Sequence, residues 1–400
     1  MRRVLPTLFV VVLVAIGCGG PVESATPVPT PSLTASPSAA PQSTLTAPPT
    51  PTASPSATPT PPATPSPTPP ITDLVLDVHR LPAGYTTGTD LYNTGTGIVW
   101  GSGRKLWSYG LTGSPGIVYT GRSGDRIGPV AASAAGYLFV ERKAPTSLSN
   151  IRWWLYFLPM HAGTPILMDR YTNGELGPPD IAINDTYIAW IAPTGTSTDT
   201  IRDLRVARID QLNQPQTLLS YNVDQVALGD VALWQDELWY DVATTGPSGT
   251  AAHVEMIDLL HPDAAPVAYG ADVLAYMPAA NDQVIAWKGG DPRFAAGNPA
   301  PPFVYWRDTG TYAQLDFPNP GDSPQIQYPT VGNRFVAWWD VQAQQFYVYD
   351  LAERALRRIV EYDPHGPRYL VPAVSGNLLS WVYFANDRAP GITQWADLPQ

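Results

Sequence analysis

A single cysteine, Cys18, is all that 400 residues contain, so no intramolecular disulfide can staple this chain and packing alone must hold its fold. Charge is also scarce: 14% of residues are charged, and the three lysines (Lys105, Lys143, Lys288) are scattered. With no basic run and a formal net charge of −11, the chain repels phosphate backbones, so nucleic acid is not an expected partner. The plainer meaning of the acidity is solubility. No apolar run reaches the roughly 20 residues of a membrane-spanning helix. No stretch shows a long 3.6-residue period either, so helix should be minor. Residues 21–70 lack aromatics altogether and carry 17 prolines and one charged residue, Glu23. Such a segment cannot bury enough apolar surface to offset its ordering entropy.

Catalytic signatures are missing too. There is no Gly-x-Ser-x-Gly elbow, no His-Glu-x-x-His zinc motif, no EF-hand calcium loop and no Ser-x-Asp-x-Gly-x-Thr-Trp repeat. The five histidines (His79, His161, His253, His261, His365) have no metal-ligand spacing and read as surface or strand-edge residues. Asp236, Asp291 and Asp340 recur after tryptophans. Paired carboxylates can hydrolyse glycosides, but a carboxylate at a strand end is usually a turn former. No catalytic residue, cofactor or metal is therefore assigned.

What is present begins with an address. Arg2 and Arg3 precede 13 mostly apolar residues, 4–16, which is the length of a secretion-signal core. The next residues, Ala15-Ile16-Gly17-Cys18, resemble the bacterial lipobox. That resemblance implies cleavage after residue 17 and lipid on Cys18, which becomes the mature N-terminus and anchors the protein on the extracytoplasmic side of a membrane, at the cell surface or in the periplasm. Removing Arg2 and Arg3 takes the net charge from −11 to −13. The Pro/Thr/Ser-rich tether that follows can hold a domain on the order of 100 Å or more from the membrane, at ~3.1 Å per residue. Its Ser and Thr are candidate O-glycosylation acceptors. The expected organisation is a signal peptide at 1–17, lipidated cysteine plus tether at 18–71, and one all-β domain at 72–400.

Inside that domain one short strand keeps returning: Ile98-Val99-Trp100, Leu138-Phe139-Val140, Ile188-Ala189-Trp190, Ala232-Leu233-Trp234, Ile285-Ala286-Trp287, Val336-Ala337-Trp338 and Leu379-Ser380-Trp381. The steps between their last residues are 40, 50, 44, 53, 51 and 43, the length of a four-stranded propeller blade. Turn residues precede most copies (Asn184-Asp185, Gly229-Asp230, Asn281-Asp282, Gly332-Asn333, Gly376-Asn377), and β-forming runs such as Phe346-Tyr347-Val348-Tyr349 follow. The Gly-Asn turn, Trp-ending strand, Tyr-Val-Tyr-Asp-Leu run and Arg-rich closing strand of residues 326–384 resemble TolB-like β-propeller repeats. The resemblance implies a single β-propeller, here of seven four-stranded blades closed by pairing the N-terminal strand with the last blade. Residues 73–79 are expected to supply the outer strand of the blade made by 370–398. The recurring tryptophans should fill the space between blades, whereas the irregular Trp239, Trp339 and Trp395 are candidates for exposure.

Residues 141–152, 192–202, 243–252 and 288–301 read as long insertions between the second and third strands of their units, grouped on one face of the disc. Loops on a rigid scaffold are where recognition usually resides. The leading expectation is thus a membrane-tethered binding module for a protein, peptide or glycan. A glycan-active enzyme using loop carboxylates, or a structural component of an envelope complex, are the alternatives.

Overall fold

Seven sheets, each built from consecutive strands, stand around a common axis and make the chain a seven-bladed, all-β propeller. The computed structural model describes residues 71–87, 91–143, 151–174, 177–196, 199–223, 226–246, 249–290, 300–315, 326–340, 345–360, 368–384 and 391–400. The inner strands are Leu91–Asn93, Asp125–Ser133, Asp180–Ile183, Val226–Trp234, Tyr276–Ala280, Ile326–Val331 and Arg368–Ser375. Each turns back antiparallel into a second strand: Ile98–Ser102, Gly136–Lys143, Tyr187–Thr196, Glu237–Gly246, Val284–Lys288, Phe335–Asp340 and Leu378–Phe384. Among the described residues one helical turn occurs, the 3-10 segment Ile209–Gln211. Because strands alternate in direction, inner strands begin and second strands end on one face, here the upper face. The turns joining inner to second strands lie on the lower face.

Every second strand carries one large aromatic at the same place: Trp100, Phe139, Trp190, Tyr240, Trp287, Trp338 and Trp381, all fully buried. Each packs into the blade before it: Trp338 shares a cluster with Val284 and Val304 of the fifth blade, and Trp100 with Leu378 and Val382 of the seventh. Blades splay outward, and a wide flat ring fills the widening gap; truncating such a ring typically costs about 3–5 kcal/mol. The fourth-blade copy is thus Leu238-Trp239-Tyr240. Ala232-Leu233-Trp234, which matches the repeat in sequence, is the tail of the inner strand. The second-blade anchor is Phe139, one residue before the end of the expected copy.

Trp239, Trp339 and Trp395 are buried, contrary to their expected exposure. Side chains alternate along a strand, so the neighbours of Tyr240 and Trp338 point at the following blade. There Trp239 meets Trp287, Trp339 meets Trp381, and Trp395 meets Trp100.

Ring closure uses the N-terminal segment twice. Thr72–Val75 adds a fifth strand to the sixth blade, parallel to its outer strand Ala355–Val360, with Leu74 opposite Ile359 and Asp73 ion-paired to Arg358 at 2.6 Å. His79–Arg80 then pairs antiparallel with Trp395 and Gln394 and completes the seventh blade, and Leu81 extends the ladder to the Thr393 carbonyl at 3.1 Å. Closure on the last blade is therefore made, but by residues 79–81. Most of the expected 73–79 segment lies on the sixth blade or crosses between the two. The reason is packing: Leu74, Leu76 and Val78 fill the cluster between blades six and seven, and Ile71 the one between five and six.

A run of hydrogen bonds stitches the lower face. Ser133 Oγ donates to the Asn184 carbonyl (3.0 Å), Asn184 Nδ2 to that of Gln235 (2.7 Å) and Gln235 Nε2 to Asp282 (2.8 Å). Asn281 Nδ2 then donates to the Gly332 carbonyl (2.7 Å), the Asn333 N–H to that of Gly376 (3.0 Å), and Asn93 Nδ2 to that of Leu378 (2.7 Å). Asn184 and Asn281 also accept main-chain N–H groups of their own turns. These turn residues therefore shape their hairpins and tie six of the seven neighbouring blade pairs, all but the first and second.

Candidate functional site

The upper end of the central channel is built by irregular inner strands. Pairing slips by one residue between Ile127 and Val130, Gly229 and Val231, Tyr276 and Ala279, Gln327 and Thr330, and Leu370 and Ala373. Four of the five slips hold an X-Pro pair: Gly128-Pro129, Met277-Pro278, Tyr328-Pro329 and Val371-Pro372. Proline has no N–H to give a ladder, so a bulge is where a strand tolerates it. Met277 and Tyr328 carry φ of 55° and 53°, left-handed conformations that cost a residue with a Cβ and cluster at functional positions.

The fifth slip holds Asp230. Beside it, Gly229 faces Asp241 across the hairpin, and a Cβ on Gly229 would come within 2.2 Å of Asp241 Oδ1, so any side chain there would displace that carboxylate. The Asp241 carboxylate is 5% exposed and reaches the fifth blade, where its Oδ2 accepts the Met277 N–H at 2.9 Å. Asp180 opens the third inner strand, Lys288 ends the fifth second strand opposite Tyr276, and Tyr328 stands 41% exposed on the sixth.

Electrostatics ties these groups into one site. Burial pushes Asp230 up to about 6, with the Asp180 charge raising it further and Lys288 opposing. Burial raises Asp241 to about 7 against the Met277 hydrogen bond, with Asp230 and Asp180 adding to the rise. Asp180 is raised by burial with Arg202 opposing, and Lys288 is lowered by burial with Asp230 opposing. The phenols of Tyr276 and Tyr328 are raised by desolvation first, then by Asp241 for the former and by Asp230 and Asp180 for the latter. The mouth thus holds three carboxyls whose titration is shifted up from the ordinary carboxylate range, together with one lysine and two phenols. It can donate to and accept from a polar ligand, and an aromatic face lies beside those groups.

The residues singled out in the sequence fall elsewhere. Cys18, Asp291 and His365 lie outside the described residues. Asp236 sits in a lower-face turn and Asp340 at the upper end of a strand two blades away, so the two carboxylates do not meet. His79 stacks on Trp395, His253 pairs with Glu255 and His261 with Asp258, while His161 stands in an exposed turn. Among the described residues no three His, Cys, Asp or Glu side chains converge as metal ligands. Two of the four expected insertions are not loops: 192–202 and 243–252 are continued strands, Tyr187–Thr196 with Asp199–Arg208 and Glu237–Gly246 with Gly249–Asp258, paired in register. All four do join second to third strands. Asp180, Asp241 and Tyr328 went unread in the sequence, and Asp230, expected with Gly229 to form a turn, lies instead at a bulge inside the inner strand Val226–Trp234. Of these four, Tyr328 alone sits at a bulge that a proline marks.

No family model and no curated protein matches this sequence. Solved structures do resemble it. The β-propeller domain of the Trilobed protease from Pyrococcus furiosus is 9% identical over 78% of this chain and 95% of that chain, with a TM-score of 0.53. A prolyl endopeptidase is 12% identical over 77% of this chain and 46% of that one, at 0.55. TolB from Acinetobacter baumannii is also a neighbour, 9% identical over 74% and 60%, at 0.39. At such identities the likeness is one of fold.

Proposed function

We propose that this chain is a lipid-anchored extracytoplasmic propeller that serves as an interaction module, taking a protein, peptide or glycan at the upper mouth of its channel. One observation carries the reading. Two non-glycine residues, Met277 and Tyr328, are held at positive φ immediately before proline, and a carboxylate from the neighbouring blade holds the first of them. Strained backbone that presents polar and aromatic groups to an opening is an arrangement suited to recognition. The signal core, Cys18 and the tether support attachment to a membrane, with the disc displayed beyond it.

A second reading has its own support. Asp230, raised to about 6 beside Asp180, has the protonation behaviour of a general acid paired with a carboxylate base, which glycan hydrolysis uses.

A glycan and peptide array probed with the full chain tests both. Binding without turnover, weakened by Tyr328→Ala, is the expected result. Hydrolysis abolished by Asp230→Asn would establish the enzyme instead. Array binding indifferent to Tyr328→Ala and Asp230→Asn would remove the mouth as the site.

A further inference from the structure

On the lower face, at the rim between the third and fourth blades, lies a groove separate from the channel mouth. It arises from unequal outer strands: Gln216–Asn222 closes the third blade with seven residues, whereas Val267–Tyr269 closes the fourth with three. The turn leading into the short strand therefore stands open beside the third blade, with Leu260 60% exposed. A cavity of about 240 Å³ results, with Gln214, Gln216, Leu259, Pro262, Tyr187 and Arg208 around it. A second cavity of about 420 Å³ adjoins it and shares Gln216 and Pro262, so the two make one elongated groove.

Both walls are braced by internal hydrogen bonds. On the third blade the 3-10 turn Ile209–Gln211 is continued by the Gln214 N–H donating to the Gln211 carbonyl at 3.0 Å. On the fourth, Asp258 accepts the Leu260 N–H at 2.9 Å and pairs with His261 Nδ1 at 2.8 Å. A site formed in advance loses little affinity to the ordering of its walls.

The lining selects the ligand by charge and by hydrogen-bonding character. Arg208 is neutralised by Asp210, with Nε and Nη2 each 3.1 Å from its carboxylate, and lies over the Tyr187 ring at 5.8 Å. Asp263 lines the far lobe, where it repels acidic ligands and accepts from hydroxyls. The remaining polar side chains are the amides of Gln211, Gln214 and Gln216, each offering two donors and an acceptor, and the Thr217 hydroxyl, over the apolar surface of Leu259 and Pro262. Adjacent sugar hydroxyls likewise both donate and accept, and the C–H face of a sugar ring is apolar. We propose that this groove is a binding site for a neutral oligosaccharide chain, distinct from the channel mouth.

The test is calorimetric titration of the full chain with cellotetraose, maltotetraose and chitotetraose, alongside tetra-alanine and tetragalacturonate. At least one neutral oligosaccharide should bind, and Gln214→Ala or Gln216→Ala should each weaken it about fivefold, the loss expected of one neutral hydrogen bond. Both side chains are exposed, so the variants keep the fold. The component of sugar binding lost in the double glutamine variant belongs to the groove, which separates it from any binding at the mouth. Binding of none of the three sugars overturns the proposal. So does binding of tetra-alanine alone, equal binding of tetragalacturonate, or affinity indifferent to the double glutamine variant.

Discussion

Asp241 of the fourth blade holds Met277 of the fifth: its Oδ2 accepts the Met277 N–H at 2.9 Å, and Met277 keeps a left-handed backbone there. The bond crosses a blade junction at the channel mouth, so the ionisation of one carboxylate bears on both the site and the ring.

Its pH dependence follows. The Asp241 carboxyl is raised from its ordinary 3.8 to about 7 in the fold. The folded chain therefore keeps a proton that the unfolded chain gives up. The cost to folding is absent below about pH 4, grows as the pH rises to about 7 and is constant above. Asp241→Asn keeps an acceptor for Met277 and removes that cost. Its melting temperature should exceed that of the parent chain at about pH 8, and the gain should vanish near pH 4. An offset of the same size at both would contradict the assignment.

Trp338→Ala should destabilise the domain by about 3–5 kcal/mol, since the ring is fully buried between the fifth and sixth blades and leaves a cavity behind. Chemical denaturation measures it, and a change near zero would place the ring outside the core.

The N-terminal segment predicts two unequal deletions. Removing residues 71–76 strips the fifth strand from the sixth blade but leaves its other four, and should lower the melting temperature modestly. Removing 71–82 also takes His79, Arg80 and Leu81 from the seventh blade, leaving three strands and an unpaired edge. That deletion should destabilise the whole ring. Equal effects of the two would show that residues 79–81 do not close it.

Asn281→Ala should cost about 2 kcal/mol. Asn281 is buried, its amide serves the Gly332 carbonyl of the next blade, and its Oδ1 serves two N–H groups of its own turn. A stability equal to that of the parent chain would mean water replaces all three bonds.

For the proposed anchor, Cys18→Ser should leave the chain unprocessed or released from membranes. Fractionation checks it: a variant that partitions with membranes like the parent chain would refute lipidation at Cys18.

The ring was legible because tryptophan at one strand position is rare enough to show its own period. The fourth blade misled for a physical reason. Ala232-Leu233-Trp234 and Leu238-Trp239-Tyr240 are two arms of one hairpin, each apolar and ending in an aromatic, and a linear pattern does not say which arm faces the preceding blade. The Thr/Gly-rich stretches 192–202 and 243–252 look like loops by composition, but threonine favours strands and pairing extends them. The channel-mouth groups were invisible for a further reason: Asp180, Asp230 and Asp241 become a site only when three strands from two blades converge. Asp230 beside Gly229 also reads as an ordinary turn.

The parallel strand Thr72–Val75 also has a mechanical consequence. A force applied through residue 71 runs along this strand, so its pairings with residues 357–360 and the Asp73–Arg358 ion pair are loaded together, in shear. The last blade, which a pull on His79–Arg80 would otherwise open like a zipper, sits behind that brake. A pull on residue 71 therefore tests the sixth blade before it reaches the seam of the ring.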